Sequence, residues 1–408
     1  MKYETIIIGG GLSGLLSGIA LARAGRKVAI ISAGQSALHF SSGSFELIDS
    51  EDNPLAAIAQ MPSTHPYQTI GLEAVKRYAE AVPALFAEAG VEVSGSVEKN
   101  HYRITPIGMA KSAWLTLGDY ATLDNATTLP WRKVAIVNFD GYLDFYPKFL
   151  DNFFAKRGVD TVHHTLTLAE FEHLRESATE MRATNIARIM TGDLLSKIAT
   201  ELRGRIGDAE VVFMPAVFGM FDAEAVSALR SQVRVPLYFI PTMPASVPGV
   251  RTQIQLKNYF QKLGGVYLLG DNVCGGEIRD NKLISVRTAN HGDMEFHADN
   301  FILASGSFFS HGLIASQERI YEPIFGLDIV ADQARSEWYN QDLYAHQPYM
   351  GYGVVTDEHL RCRLAGKTVE NLYAAGSVLA NQNPIAEGTG GGVAITTALF
   401  VADQIINA

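Results

Sequence analysis

The stretch Thr5–Ala22, TIIIGGGLSGLLSGIALA, decides the fold because it joins a β-branched run to an apolar helix through a cluster of glycines. It contains the G-x-G-x-x-G pattern at Gly9, Gly11 and Gly14. In such a pattern the first glycine permits a tight turn, the second admits a phosphate, and the third lets the helix approach the strand. The free amides of the helix start, together with the helix dipole, then bind an anion. The segment predicts the opening strand, turn and helix of a dinucleotide-binding unit.

The second strand of this unit, KVAIIS at 27–32, ends without the acid that such a site usually carries. An Asp or Glu in that place normally bonds the adenosine ribose of a bound dinucleotide. Ser32 stands there instead, and the next acid along the chain is Glu46. The opening motif therefore predicts an anion site, while the strand end leaves open which nucleotide fills it.

Composition places the chain among well-packed globular proteins and argues against nucleic acid as its main partner. The 408 residues suit two intertwined domains or one large α/β unit. Apolar residues make up 47% and charged residues 19%, which is the balance of a protein with a filled interior. A net charge of −10 would repel a phosphate backbone.

Two features exclude further classes of site. The chain has two cysteines, Cys274 and Cys362, which cannot supply the four thiolates of an iron–sulfur cluster and have no zinc spacing. We expect no metal site, and we expect both thiols to be buried and unreactive, with a disulfide between them as the alternative. The segment Thr5–Ala22 lacks charge, but its five glycines and the preceding Glu4 argue against a membrane span or signal peptide. Any membrane contact is therefore expected to be peripheral.

Further turns near the ends of predicted strands are rich in small residues. FILASGS at 301–307 and NLYAAGS at 371–377 each end a predicted strand, and GTGGGVA at 388–394 begins a predicted helix. A helix start of this kind can point its amides at an electron-rich ring edge or at a developing negative charge. The alternative is a glycine-rich loop that only lets chain segments cross. The candidate contact residues in these turns are Ser305, Gly306, Gly376, Ser377, Gly390, Gly391 and Gly392.

The order of these motifs resembles that of the two-dinucleotide-binding flavoprotein superfamily, which includes the succinate dehydrogenase and fumarate reductase flavoproteins. More narrowly, motifs in every third of the chain resemble the B subunit of bacterial anaerobic glycerol-3-phosphate dehydrogenase. They are GQSALHFSSGS (34–44), RATNIAR (182–188), ASGSFFS (304–310), EPIFGLD (322–328), GVVTDE (353–358), NLYAAGSVL (371–379) and GTGGGVA (388–394).

The resemblance implies an α/β protein with a Rossmann-like FAD/NAD(P)-binding flavoprotein fold and an inserted second α/β domain. We assign residues 1–60, 250–310 and 350–408 to a discontinuous flavin-binding domain. Residues 61–249 and 311–349 are assigned to a cap that meets substrate or a partner. Within the cap, the segment 236–250 (PLYFIPTMPASVPGV) is predicted to be a proline-rich turn region.

The resemblance also implies partners. A member of this family is expected to join a catalytic, FAD-carrying A subunit, together with a membrane-associated iron–sulfur C subunit. Such a complex oxidises sn-glycerol 3-phosphate to dihydroxyacetone phosphate and passes the electrons to menaquinone, with fumarate or nitrate as the final acceptor. The implied location is the cytoplasm, at the inner face of the inner membrane and held there by the partner subunits.

The cofactor implied by the family is FMN, bound without a covalent link. FMN has one terminal phosphate and no second ribose, so the absence of an acid at Ser32 favours it. FAD stays open as the alternative because Ser32 or Gln35 could bond a ribose hydroxyl. At Ser377 relatives often carry an acid that bonds the ribityl chain, and a serine hydroxyl would do so more weakly.

The loop between the second strand and the next motif supplies further candidates. Its hydroxyl and glycine positions could bond the phosphate, ribityl chain or ring edge of a flavin, and an ordinary serine-rich turn is the alternative. These positions are Ser36, Ser41, Ser42, Gly43 and Ser44. For catalysis we name His39, Arg251, which is expected to clamp a phosphate at a helix start, and His311 as a base. The alternative for each of the three is an ordinary surface or core residue without a catalytic role.

Three functions are compatible with these residues. The first is a flavoprotein that receives electrons from the A subunit of a complex and relays them. The second is a self-sufficient dehydrogenase of a small hydroxy acid or polyol phosphate, which Arg251 and the histidines suggest. The third is a scaffold that has lost its cofactor, which the missing acids at Ser32 and Ser377 suggest.

Overall fold

The computed structural model describes residues 2–50, 53–177 and 180–408. In chain order the strands are β1 (Lys2–Ile8), β2 (Val28–Ser32), β3 (Ser44–Phe45), β4 (Val93–Gly95), β5 (His101–Ile104), β6 (Ala110–Ala113), β7 (Leu115–Leu117), β8 (Thr122–Leu123), β9 (Lys133–Phe139), β10 (Asp160–Leu166), β11 (Val211–Pro215), β12 (Leu237–Ile240), β13 (Val266–Leu269), β14 (Val273–Arg279), β15 (Lys282–Thr288), β16 (Glu295–Leu303), β17 (Ile314–Ala315), β18 (Ile320–Tyr321), β19 (Ile329–Val330), β20 (Gly353–Val354), β21 (Arg361–Leu364) and β22 (Lys367–Ala374).

The α-helices are α1 (Leu12–Arg23), α2 (Pro54–Ile58), α3 (Pro66–Ile70), α4 (Leu72–Glu88), α5 (Pro147–Ala155), α6 (Glu172–Arg175), α7 (Ala183–Ile189), α8 (Gly192–Arg205), α9 (Glu224–Gln232), α10 (Val247–Lys262), α11 (Pro384–Glu387) and α12 (Gly390–Ile406).

An eight-stranded sheet positions the opening glycine motif. Five of its strands run parallel in the order β13-β2-β1-β16-β22. The register of β1 on β2 runs from Thr5 opposite Val28 to Ile8 opposite Ile31. The isoleucine run of β1 is buried, as expected of a strand covered on both faces. The strand order reverses between β1 and β16, which leaves a crevice at their carboxyl ends. The predicted Rossmann-like fold is confirmed.

The inserted segment contains a second parallel sheet, in the order β10-β9-β11-β12. The prediction of a turn region at 236–250 is wrong for its first part, because β12 pairs with β11 there. Prolines precede and follow β12, and because prolines are rare within sheets they led us to predict a turn where the structure has a strand of four residues. Helix α10 begins at Val247, with Pro248 in its first turn, so Arg251 lies one turn inside the helix rather than at its start.

Helices α1 and α12 lie side by side and run in the same direction. Ser17 Oγ donates to the carbonyl oxygen of Ala398 at 3.2 Å. At the far ends, Arg26 Nη2 donates to the carbonyl oxygen of Ile406 at 3.2 Å. The first contact joins the middle of α1 to the middle of α12, and the second joins their carboxyl-terminal ends. The amino-terminal ends of the two helices therefore lie at the same edge of the sheet.

Helix α4 joins this layer through Tyr78, whose hydroxyl donates to Asp403 of α12 at 2.8 Å. Residue 78 falls within the segment assigned to the cap. The boundaries of the two domains stay a prediction.

The two cysteines differ from expectation in one respect. Cys362 is buried, and burial raises the pKa of its thiol well above the usual value. Cys274 is exposed on β14, because an edge hairpin covers only one of its faces. In the described residues no helix combines the length and the apolar character needed to cross a bilayer.

Candidate cofactor site

The start of α1 is open to an anion. Gly11 is its N-cap, and no side chain that the structure describes caps the free amides there. A Cβ at Gly11 would have Ser36 Cβ as its nearest neighbour, at 3.7 Å, so there is room above the helix start. Gly9 has a φ of 113°, and its Cβ would lie 2.2 Å from the carbonyl oxygen of Ala304. Only glycine fits at residue 9, and the open amides beside it can bind a phosphate.

The start of α12 lies close by and is also uncapped by any side chain. A Cβ at Gly376 would lie 2.1 Å from Ser13 Oγ in the first turn of α1, and the Gly376 amide donates to Thr397 Oγ1 at 2.9 Å. The turn after β22 is therefore wedged between the two helices. The carboxyl-terminal motif and the opening motif meet through Gly376 and Ser13.

The glycines of α12 itself contact a different segment. A Cβ at Gly391 would lie 3.1 Å from Cα of Phe45, and the amide of Gly392 donates to the carbonyl oxygen of Glu46 at 2.8 Å. A Cβ at Gly390 would approach Pro384 to 3.2 Å. The first turn of α12 thus packs against the chain that follows the serine-rich loop.

The turn after β16 completes this edge. Gly306 has a φ of 85°, and its Cβ would lie 3.8 Å from Ser377 Oγ, so the turns after β16 and β22 adjoin. Ser305 Oγ is buried and finds no hydrogen-bond partner among the described residues. A buried hydroxyl without a partner is costly, and a polar group of a bound ligand would satisfy it.

The residues near the end of β2 form the other side of the crevice. Ser32 is buried and its Oγ donates to the carbonyl oxygen of Gly34 at 3.2 Å, so this hydroxyl is already used. Ser36 Oγ donates to Gln253 Oε1 at 2.9 Å, and Gln35 is exposed. Tyr267, on β13, donates its hydroxyl to the carbonyl oxygen of Gly10 at 3.3 Å.

A largely apolar cavity of about 290 Å³ opens beside these residues. Its walls are the loop after β2, the end of β13 and one face of α10. They include Gly34, Gln35, His39, Ile254, Tyr267 and Leu269. The cavity therefore lies on the side of the glycine motif where a dinucleotide site holds its adenosine.

The serine-rich loop, residues 36–44, is held in place by the side chain of Arg103 on β5. Its guanidinium donates to Ser42 Oγ and to Ser44 Oγ. Gly43 has a φ of 89°, and a Cβ there would lie 2.0 Å from the ring of Tyr120. Ser41 Oγ accepts from the amide of Gly43 at 3.1 Å. Hydrogen bonds from Arg103 and packing against Tyr120 therefore fix the conformation of the loop. The sequence alone pointed to neither residue.

The three candidate catalytic residues have different surroundings. His39 lines the apolar cavity, and its Nδ1 is buried without a partner; burial lowers its pKa, which Gln253 partly opposes. His311 is exposed in a left-handed turn with a φ of 60°. Arg251 is buried and its guanidinium is already engaged: it pairs with Asp119 and donates to the carbonyl oxygen of Gly219 at 2.6 Å. This position gives Arg251 a structural contact, and its predicted phosphate clamp stays untested.

A buried His–Glu contact supports the turn before α12. His65 Nε2 lies 3.4 Å from Glu387 Oε2, and Tyr67 donates its amide to His65 Nδ1 at 3.1 Å. Burial acts to raise the pKa of Glu387, but the close contact with His65 and the hydrogen bond from the amide of Asn383 prevail and hold it below its usual value. The carboxylate therefore stays charged and fixes the turn.

Sequence reasoning missed Arg103, Tyr120, Gln253 and Tyr267. Each lies more than 60 residues from the loop or motif that it contacts, except for the Arg103–Ser44 pair, which is 59 apart. The one available signal was Arg103, a charged residue within the short strand HYRI whose last residues are buried. A single sequence does not indicate which serines such an arginine meets.

His101, on the same strand as Arg103, should make stability depend on pH. Burial, and then the charge of Arg103, lower the pKa of His101 to about 4. The unfolded chain would take up this proton near pH 6.5, whereas the folded chain would not. We expect the free energy of unfolding to fall by about 2–3 kcal/mol between pH 6.5 and pH 4 on account of this residue. Urea unfolding across that range measures it.

His101→Asn should remove this part of the pH dependence, whereas His311→Asn, at an exposed position, should retain it. An unchanged slope in the His101 variant would contradict the assignment.

Comparison with known proteins identifies the family. Residues 4–393 match the family model described as FAD binding domain. The chain is 40% identical over 419 residues to the anaerobic glycerol-3-phosphate dehydrogenase B subunit of Yersinia enterocolitica, covering 100% of this chain and 99% of the relative. It is 38% identical over 416 residues to the protein of the same name from Pectobacterium atrosepticum, again covering 100% and 99%. Among solved structures, 3-ketosteroid delta1-dehydrogenase from Sterolibacterium denitrificans aligns with a TM-score of 0.45 at 11% identity, over 100% of this chain and 99% of that one. The chain is an oxidoreductase of the FAD binding domain family and belongs to the family of anaerobic glycerol-3-phosphate dehydrogenase B subunits.

Proposed function

We propose that this chain is the flavin-carrying B subunit of an anaerobic glycerol-3-phosphate dehydrogenase, and that its flavin is non-covalent FAD. The observation that carries the proposal is the pair of parallel helix starts of α1 and α12 at one edge of the sheet, which no described side chain caps. The residues present fit a flavin: the open space at Gly11 admits a phosphate, and Ser305 offers a buried hydroxyl without a partner. When bound, a flavin supplies the capacity to accept a hydride or electrons.

The cavity beside the glycine motif favours FAD over FMN. FMN ends at its phosphate and has no group that would reach beyond the loop after β2. The adenosine of FAD lies at the end of the second strand in folds of this kind, and the cavity of about 290 Å³ is there. Its apolar walls suit a flat base. Ser32, whose hydroxyl is used by Gly34, would leave the ribose to Gln35 and to water.

Release of the cofactor tests this choice. Acid precipitation of the purified protein, followed by mass spectrometry of the supernatant, should give FAD with no flavin left on the protein. FMN in the supernatant, or flavin that remains attached to a His39 peptide, would contradict the proposal.

A substitution in the cavity should separate the two cofactors. A Cβ at Gly34 meets nothing within 4 Å, so Gly34→Leu can place a side chain in the cavity without disturbing the backbone. We expect the affinity for FAD to fall about tenfold or more, as expected when about 1.4 kcal/mol is lost, while the affinity for FMN stays unchanged. Fluorescence titration of the apoprotein measures both. Gly204→Leu, at an exposed and equally open position, is the control.

We further propose that the chain relays electrons within a complex. Relatives carry the name of a B subunit, and two cysteines are too few for an iron–sulfur cluster of their own. We infer that the A and C subunits of the complex supply the substrate site and the clusters, that menaquinone receives the electrons, and that these partners hold the chain at the cytoplasmic face of the membrane. In this chain, the parallel helix starts would orient the cofactor, and the buried hydroxyl of Ser305 would bond to it.

Stopped-flow spectroscopy tests the relay. With the A and C subunits present, sn-glycerol 3-phosphate should bleach the flavin of this chain within a turnover, and the isolated chain should not be bleached. Bleaching of the isolated chain would instead favour a self-sufficient dehydrogenase. A flavin that stays oxidised while the complex turns over would reject the relay.

A further inference from the structure

Arg103 contacts the serine-rich loop, and the proposed function assigns this residue no role. It is 2% exposed, on the short strand β5 beneath the serine-rich loop. Its Nε donates to Ser44 Oγ and its Nη2 to Ser42 Oγ, whereas Nη1 is buried and has no hydrogen-bond partner in the part of the chain that the structure describes. A buried guanidinium with a free donor is costly unless an acceptor meets it.

Within residues 2–50, 53–177 and 180–408, the charge of Arg103 is only partly neutralised. The nearest carboxylate among these described residues is Glu46, whose Oε1 lies 3.9 Å from Nη2, which is too long for a hydrogen bond. Glu46 also lies 3.7 Å from Lys111 and accepts from Ser44 Oγ at 2.7 Å, so its charge is shared. Burial lowers the pKa of Arg103, which Glu46 opposes, yet an arginine remains protonated in proteins. The group is therefore a fixed, under-compensated cation.

This cation lies next to the start of α12. Ser44, which accepts from Arg103, begins the segment against which the helix packs. Gly392 donates its amide to the carbonyl oxygen of Glu46, and a Cβ at Gly391 would approach Phe45 to 3.1 Å. The positive end of the helix dipole and the guanidinium thus converge on one short stretch of chain, which concentrates positive potential there.

We propose that Arg103 sets the reduction potential of the bound flavin by favouring its reduced, anionic form. The proposal rests on the flavin site argued above. Two electrons and one proton convert the neutral oxidised ring into a monoanion, with the electrons and the proton coming from the donor that reduces it. A fixed cation binds that anion more tightly than the neutral ring, which raises the potential.

The experiment is a redox titration of the flavin-loaded full chain, together with the affinities of its apoprotein for oxidised and reduced flavin. In Arg103→Gln the ratio of the two affinities should shift about tenfold against reduced flavin, which corresponds to a potential about 30 mV lower for a two-electron couple. Arg103→Lys keeps the charge and should stay within about threefold of the wild type. Lys111→Gln removes a half-exposed cation that shares Glu46, and should change the potential much less than Arg103→Gln does.

Glu46→Gln gives an independent test with the opposite sign. Removing the shared carboxylate leaves Arg103 less compensated, so the potential should rise, and this variant decides the matter if Arg103→Gln does not fold. A wild-type potential in either variant that binds flavin would overturn the proposal, as would equal shifts in Arg103→Gln and Arg103→Lys. A weaker affinity for sn-glycerol 3-phosphate with an unchanged potential would assign the cation to a substrate phosphate instead. A wild-type chain that binds no flavin at the first titration would refute the proposed function itself.

Discussion

Gly14→Val is expected to abolish stable flavin binding. A Cβ at residue 14 would lie 1.9 Å from the carbonyl oxygen of Gly9, which is backbone and cannot move aside as a side chain can. Helix α1 would have to shift away from the turn that it follows, and its amides would no longer converge on the phosphate. We expect the affinity for flavin to fall by about 100-fold or more, and the free energy of unfolding of the apoprotein to fall by about 1–3 kcal/mol.

Gly204→Val is the matched control, because a Cβ there meets nothing within 4 Å and the position is exposed. Flavin fluorescence titration and urea unfolding of both variants provide the measurement. If Gly14→Val bound flavin as tightly as Gly204→Val, the start of α1 would not be the phosphate site.

The second large effect is expected at Arg251. This residue is 5% exposed and its partner Asp119 is 6% exposed, so the pair is buried. Replacing Arg251 with methionine leaves an unpaired carboxylate in the interior, together with the carbonyl oxygens of Phe218 and Gly219 that the guanidinium now satisfies. Loss of one partner of a buried pair costs about 3–5 kcal/mol, and we expect the free energy of unfolding to fall by that amount. Urea unfolding followed by tryptophan fluorescence measures it.

The double variant Arg251→Met with Asp119→Leu separates structure from catalysis. Removing both charges should recover part of the lost stability, because no uncompensated charge remains. The single variant at Asp119 should resemble the single variant at Arg251. If Arg251→Met were fully stable but bound sn-glycerol 3-phosphate more weakly, the phosphate clamp would be the right interpretation after all.

The parts of the fold that local sequence determines could be predicted. The turn at Gly9, the helix from Leu12 and the strand to Ser32 follow from β-branched runs, glycine conformation and apolar spacing within 30 residues. The last helix begins at Gly390, inside the glycine cluster 388–392 where its start was predicted, for the same reason. Where local signals conflict, the prediction fails. β12 is flanked by prolines and is a strand only because β11 offers it a parallel partner.

The candidate site was harder to predict from sequence, because the residues that hold it in place are far apart along the chain. Arg103 meets Ser42 across 61 residues and Arg251 meets Asp119 across 132, and no local pattern encodes either pair. The absence of an acid at Ser32 favoured FMN, but the cavity beyond it depends on β13 and α10, which arrive more than 200 residues later. A sequence shows directly that a contact residue is missing, but it does not show a cavity whose walls come from distant parts of the chain.

A structure of the flavin-loaded chain tests the central claim most directly. We expect one flavin per chain, with a phosphate within hydrogen-bond distance of the Gly11–Leu12 amides and the ring edge at the first turn of α12. The adenosine should fill the cavity beside Tyr267. A flavin bound elsewhere, or one that contacts α1 but not α12, would contradict the account.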